Sequence, residues 1–162
     1  MGKYFFLITM LLLACSKSTW EHVYIPSKYD EYDIASMQYQ NLNNNSRINL
    51  EIVKSGTDLF CYIYFKNISE NHFNNSLQLT ISDEKDSKVF KLLADQRCKK
   101  IKLTDDCFSY LLKKLKHSSE VKIKLVDVET IINSADFELN FQALYKRSLK
   151  NYTKSHVSLE LF

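Results

Sequence analysis

The 162-residue chain is 45% hydrophobic and 13% aromatic, which excludes global disorder, and its length suits one domain with a real core. Its 22 basic against 19 acidic residues leave a formal charge of +3, too small for a nucleic-acid-binding protein. Gly2 and Gly56 are its two glycines and Pro26 its one proline, so no glycine-rich phosphate loop can be built.

At the N-terminus Lys3 precedes the ten-residue apolar run Tyr4 to Leu13. A bilayer span needs roughly 20 apolar residues, so the run is too short to cross a membrane as a helix. A charged start, an apolar middle and the small Ala14 form the layout of a secretory signal. The stretch Leu11-Leu12-Leu13-Ala14-Cys15 resembles the lipobox of bacterial lipoproteins, with Leu12 three residues before the cysteine. Leu13 departs from the smaller residue that family prefers. The resemblance implies cleavage after Ala14, acylation of Cys15, and a domain tethered to the bacterial cell envelope. Ser16, standing where an Asp signals inner-membrane retention in Gram-negative lipoproteins, implies passage to the outer membrane. An ordinary cleaved signal and a short uncleaved anchor are the competing readings. Gly2 does not mark myristoylation, because Phe6 occupies the place of the required Ser or Thr. Loss of residues 1–14 leaves 148 residues and a charge of +2.

The expected organisation is a signal peptide over 1–14, a tether over 15–29, and a single globular domain over 30–162. The tether shows no helical or strand period, although Trp20, Tyr24 and Ile25 are apolar enough to dock on the domain, the preferred reading, or to lie at the membrane interface. Residues 29–47 read equally as a helix through Tyr29, Tyr32, Asp33 and Ser36 or as a short strand at Tyr39 to Leu42. Ile48, Leu50 and Ile52 alternate with polar neighbours, Gly56 marks a turn, and Leu59 to Lys66 returns as an aromatic strand. A second hairpin is predicted from Leu77–Ile81, the acidic turn 83–86, and Lys88–Leu93. Another strand is expected within Arg97–Leu103.

Thr104-Asp105-Asp106 predicts a helix start: a hydroxyl N-cap, then two carboxylates at the positive end of the helix dipole. Phe108, Leu111, Leu112 and Leu115 follow at helical spacing, and Lys113, Lys114, Lys116 and His117 close the segment. Val121, Ile123 and Leu125 alternate as a strand. Phe137, Leu139 and Phe141 predict a last strand running into a short helix near Ala143–Leu149, with an edge strand at Val157–Leu161. The predicted class is α+β: a mainly antiparallel β-sheet or sandwich, one amphipathic helix over about 104–116, and a short C-terminal helix.

With Cys15 acylated, Cys61, Cys98 and Cys107 remain, enough for one internal bridge. Alternation puts Cys61 on a face with Ile63 and Phe65, the setting of a buried, inert thiol. Cys98 and Cys107 are the candidate disulfide, worth about 2–3 kcal/mol if unstrained; unpaired thiols are the alternative. Their spacing matches no zinc pattern.

His22, His72, His117 and His156 are scattered, with no HExxH arrangement, and no Gly-x-Ser-x-Gly elbow exists. Asp105 and Asp106 suit helix-end electrostatics better than acid–base work. The expectation is a non-enzymatic protein with no cofactor and no metal. Lys99, Lys100 and Lys102 precede the helix, Lys113, Lys114 and Lys116 lie on it, and Lys122 and Lys124 follow. Either Lys113, Lys114, Lys116, Lys122 and Lys124 share a basic surface for anionic lipid, peptidoglycan or an acidic partner, or they are an ordinary solvated face. The segment from Cys98 onward, with two cysteines, a Leu-x-Asp entry to a helix, a basic strand and a phenylalanine-containing end, is similar to the invasion-associated B-type periplasmic proteins over about a third of the chain, without that family's usual glycines, and no function follows from it. The expected function is a membrane-anchored lipoprotein that binds a protein partner as an assembly or surface factor. An immunity or exclusion lipoprotein blocking a toxin, phage or plasmid is the second reading, and an envelope enzyme the third. Nucleic acid is not an expected partner.

Overall fold

Alternation of apolar and polar residues dominates this chain, and antiparallel strands are what it builds. The computed structural model describes residues 20–25, 34–39, 48–65, 76–93 and 100–146. Strands β1 (Trp20–Ile25), β2 (Ile34–Tyr39), β3 (Ile48–Ser55) and β4 (Asp58–Phe65) pair sequentially, and β7 (Lys100–Lys102) adds to β4. This five-stranded sheet, sheet A, has the order β1-β2-β3-β4-β7. Sheet B is formed by β5 (Ser76–Ser82), β6 (Ser87–Leu93), β8 (Glu120–Leu125) and β9 (Val128–Asn133), in the order β6-β5-β8-β9. Every pairing is antiparallel. Two antiparallel sheets with helices make the α+β arrangement expected from the sequence.

Both expected hairpins form. In the first, Ser55 opposes Asp58 and Gly56 takes φ 57°, a left-handed conformation that glycine adopts without a Cβ clash. The β8–β9 turn makes the same demand of Val126, at φ 55°, although a β-branched side chain resists it. Leu50, Ile52, Cys61, Ile63, Leu79, Ile81, Val121 and Ile123 face one continuous core, each 0–1% exposed.

Helix α1 (Asp105–His117) starts as the sequence indicates. Thr104 Oγ1 accepts from Cys107 N at 3.4 Å, and Asp105 and Asp106 occupy the first turn. At the other end Ser118 N donates to Lys114 O at 2.9 Å. Its buried face is Cys107, Phe108, Leu111, Lys114 and Leu115, so a lysine takes a core-facing place and Leu112 is only partly buried.

The structure departs from the sequence-based expectations in several places. The expected tether contains β1, whose Trp20 is 3% exposed and paired with Tyr39. The ambiguous 29–47 stretch supplies β2, while residues 40–47 lie outside the described residues, as does the expected edge strand at 157–161. Strand β9 is hidden in the sequence by the doublet Ile131-Ile132: Thr130 and Ile132 are buried, while Ile131 is 47% exposed. The predicted strand at Phe137–Phe141 is instead the start of a helix, α2, whose described part is 137–146. Phe137 and Phe141, four residues apart, satisfy both a period of two and a helical turn. Leu139 decides between them. A strand would bury it with the phenylalanines, and it is 74% exposed, while Leu144, one further turn along, is fully buried.

Candidate functional site

In β4 the inward set is Leu59, Cys61, Ile63 and Phe65, so Phe60, Tyr62 and Tyr64 stand on the outer face of sheet A, half-buried. Register places Lys102 opposite Tyr62 and Lys100 opposite Tyr64. The ammonium of Lys100 lies 3.9 Å from the Tyr62 ring centroid and 4.8 Å from that of Tyr64, and Lys102 lies 4.0 Å from that of Phe60. These are cation–π distances, and they hold the lysine stems against the aromatic row.

On the neighbouring strand Glu51 opposes Tyr62 and is only 7% exposed. Its carboxylate accepts from Gln38 Nε2 at 3.1 Å, from Lys100 Nζ at 3.1 Å, and from the Tyr64 hydroxyl. Burial pushes the carboxyl up, but the hydrogen bonds from Tyr64, Gln38 and Lys100 outweigh it and leave Glu51 below the usual carboxylate range. Burial and the bond to Glu51 raise the Tyr64 phenol. Burial disfavours the Lys100 ammonium, yet its bonds to Tyr64 and Glu51 leave its affinity for the proton above normal. The result is a fixed, charged and aromatic sheet face. Val23 and Ile25, on the outward side of β1, extend it at 42% and 57% exposure. Aromatic residues set among hydrogen-bonded polar groups are the composition of a protein-binding surface, because they bury large area with few rotors to freeze.

A second polar cluster lies where the β5–β6 turn meets the end of α1. Asp83 Oδ1 accepts from Lys85 N at 2.9 Å, Asp86 N at 3.0 Å and Lys114 Nζ at 2.9 Å, and Asp83 Oδ2 accepts from Ser118 Oγ at 2.6 Å. Asp86 accepts from the Tyr110 hydroxyl and pairs with Lys114. The bonds from Ser118 and Lys114 hold the Asp83 carboxyl far below its ordinary range. The bonds that Lys114 donates to Asp86 and Asp83 keep its ammonium firmly protonated despite desolvation. A cleft of about 290 Å³ opens beside it between Asp83, Glu84, Glu120 and Lys122. With Asp83 taking four donors, the cluster locks a hairpin to a helix.

The residues singled out in the sequence are dispersed by the fold. Cys15 and Cys98 lie outside the described residues. Cys107 is a free thiol, fully buried, and burial pushes it up to about 12. Cys61 is likewise free and buried. Of the five lysines considered for a basic surface, Lys114 is not at the surface. Lys114 is 6% exposed within its ion pairs, Lys116 stands 3.5 Å from Glu138 beside α2, and Lys113 is exposed on α1. Lys122 and Lys124 point outward from sheet B, because Val121, Ile123 and Leu125 point inward, and Lys122 lies 3.2 Å from Glu129. The aromatic row was visible in the sequence only as the hydrophobicity of β4; the signal that separates it from the core is that both of that strand's tyrosines fall on its outward register. Among the described residues no group of three or more His, Cys, Asp and Glu side chains is placed to hold a metal ion.

Comparison of the chain with protein-family models, curated proteins and solved structures finds no match.

Proposed function

We propose that this chain is a non-enzymatic lipoprotein, anchored through Cys15 in the bacterial envelope, at the outer membrane, that binds a protein partner through the outer face of sheet A. The observation that carries the reading is the Phe60–Tyr62–Tyr64 row, roofed by Lys100 and Lys102 and braced by Glu51. Six outward residues fixed by cation–π contacts and hydrogen bonds lose little freedom when a partner covers them, so little of the interaction is offset by ordering. The N-terminal stretch supports the location: its lipobox-like residues supply the thiol that diacylglycerol transfer requires, and acyl chains contribute about 0.8 kcal/mol per buried CH2 to membrane attachment.

The test combines two labels in native membranes. A fatty-acid analogue reports acylation in the wild type and in Cys15→Ala, while a photo-crosslinking residue replaces Tyr62 or, as a control, the exposed Gln78 on sheet B. The expected result is acyl label lost in Cys15→Ala, together with a discrete protein adduct from position 62 and none from 78. Acylated protein without an adduct at 62 sinks the binding face. The identity of the adduct separates an envelope-assembly partner from a toxin or phage protein, and so an assembly role from immunity or exclusion.

A further inference from the structure

Cys15 and Trp20 are five Cα-to-Cα steps apart, and an extended chain of that length reaches at most about 17 Å. Trp20 already belongs to the fold, buried at 3% exposure as the first residue of β1. A lipid on Cys15 therefore holds the Trp20 end of the domain close to the bilayer and selects which part of the surface meets it.

That part includes α2. The Trp20 ring packs edge-on against Phe137 at 5.2 Å between centroids, and His22 Nε2 hydrogen-bonds Asn140 Oδ1 at 2.9 Å. Leu139 sits in sequence between those two contacts and is 74% exposed. Lys146, seven residues on and so on nearly the same face, is exposed too, while Tyr145, about 120° round the helix from Leu139, is 40% exposed on the flank, with Lys54 Nζ 4.7 Å from its ring centroid. A shallow groove of about 430 Å³ runs along this side between Lys116, Phe141, Tyr145 and Lys146. Lys116 lies over the Phe141 ring at 5.0 Å, and the acid on this stripe, Glu138, is held 3.5 Å from Lys116. In the sequence Lys146 is followed by Arg147 and Lys150.

We propose that the exposed face of α2 rests on the anionic headgroup surface of the membrane that holds the lipid anchor, with Leu139 and Tyr145 as its apolar contacts and Lys116 and Lys146 facing lipid phosphates. The inference deepens the lipoprotein reading and rests on Cys15 being acylated. Three physical points carry it. The short reach from Cys15 to Trp20 brings α2 to the bilayer. A leucine on the outward face of α2 and a tyrosine on its flank match the apolar and interfacial layers of a membrane. Lysines beside them match anionic headgroups, to which each basic residue adds about fivefold in affinity. Since α2 contacts Trp20 and His22 on the inner side of sheet A, this seating turns the aromatic outer face away from the membrane, where a partner can reach it.

The full chain is expressed in bacteria whose phospholipids carry a radiolabel, with a photo-crosslinking residue in place of Leu139 or, as a control, Gln78. Both positions are exposed, so neither substitution disturbs the core. The expected result is a phospholipid adduct at 139 and none at 78, reduced about fivefold or more when Lys116→Glu and Lys146→Glu are combined. A protein adduct at 139, or no adduct, in protein whose Cys15 carries the fatty-acid label overturns this inference and leaves the lipoprotein reading standing. Adducts that do not respond to the charge reversal overturn the anionic-headgroup part. Absence of the acyl label together with absence of a lipid adduct removes both readings. A lipid adduct without the acyl label removes the anchor and, with it, this inference, since the reach from an acylated Cys15 is what brings α2 to the bilayer.

Discussion

Lys114 Nζ lies 2.9 Å from Asp83 Oδ1, with the lysine side chain 8% exposed and the aspartate 4% exposed. The two are 31 residues apart, one on the last turn of α1 and the other opening the β5–β6 turn. A lysine that a helical wheel assigns to solvent is thus the bolt between a hairpin and a helix.

Removing Lys114 leaves the buried Asp83 carboxylate without its counter-charge, and removing Asp83 leaves the buried Lys114 ammonium with only the more exposed Asp86. Lys114→Met and Asp83→Asn are each expected to lower Tm several times more than Lys113→Met, which alters an exposed lysine one residue away. Equal shifts for Lys113 and Lys114 would remove the lock. The pH dependence follows from the directions of the two shifts. Asp83 is depressed, so its contribution is complete above its ordinary value of 3.8 and is lost only as pH falls through the lower folded value. Lys114 is raised, so its contribution is complete below 10.5 and is lost as pH rises beyond that. Thermal melts of the wild type minus those of Lys114→Met should therefore differ by a constant amount between about pH 4 and 10.

Glu51 is the hub of the aromatic face, and Glu51→Ala strands the Gln38, Lys100 and Tyr64 donors that it satisfies. Unmet donors cost about 1–3 kcal/mol, so chemical denaturation should show a loss of that size. Glu51→Gln, which keeps the shape and loses the charge, should lose less. Because the Glu51 carboxyl is depressed below its ordinary 4.5, its contribution holds above that pH and disappears as acid titrates it. The difference between wild type and Glu51→Gln should accordingly shrink below pH 4.5.

The helical reading of 137–146 separates two neighbouring residues sharply. Phe137 is fully buried and contacts Trp20 and Phe141, so Phe137→Ala should cost about 3–5 kcal/mol. Leu139→Glu, at a 74% exposed position, should stay within about 0.5 kcal/mol of wild type. A strand over the same residues would make both changes severe, and denaturant melts of the two variants distinguish the cases.

Burial of Cys61 and Cys107 predicts thiols that resist alkylation in the folded protein. Both are 0–1% exposed, and burial raises Cys61 well above its ordinary range and Cys107 to about 12. Peptide mapping after iodoacetamide at pH 8 should find neither residue modified without denaturant and both modified with it. Fast native labelling of Cys107 would contradict the packing of the first turn of α1.

Strands β3, β4, β5, β6 and β8 and helix α1 were legible in the sequence because each is a local pattern. A period of two or a capped 3.6-residue stripe is complete within six to thirteen residues. Strands β1 and β9 were not, since β1 exposes Val23, Tyr24 and Ile25 and β9 exposes Ile131, and segments whose apolar residues break the alternation become strands only when a neighbouring strand supplies the ladder. The ambiguity at Phe137–Phe141 had the same root: a spacing of four fits both periods, and only the seat offered by Trp20 and Leu144's burial chose the helix.

By itself the sequence determined the antiparallel α+β class, the inward side of each regular strand and the cap of α1. The tertiary structure decided which residues stand together. It set Tyr62 and Tyr64 against Lys100 and Lys102 through the β4–β7 register, buried Lys114 on Asp83, and paired Lys116 with Glu138 and Lys122 with Glu129. Alternation tells a side chain which way to point, but its neighbours come from distant strands, and charge pairing and burial depend on those neighbours.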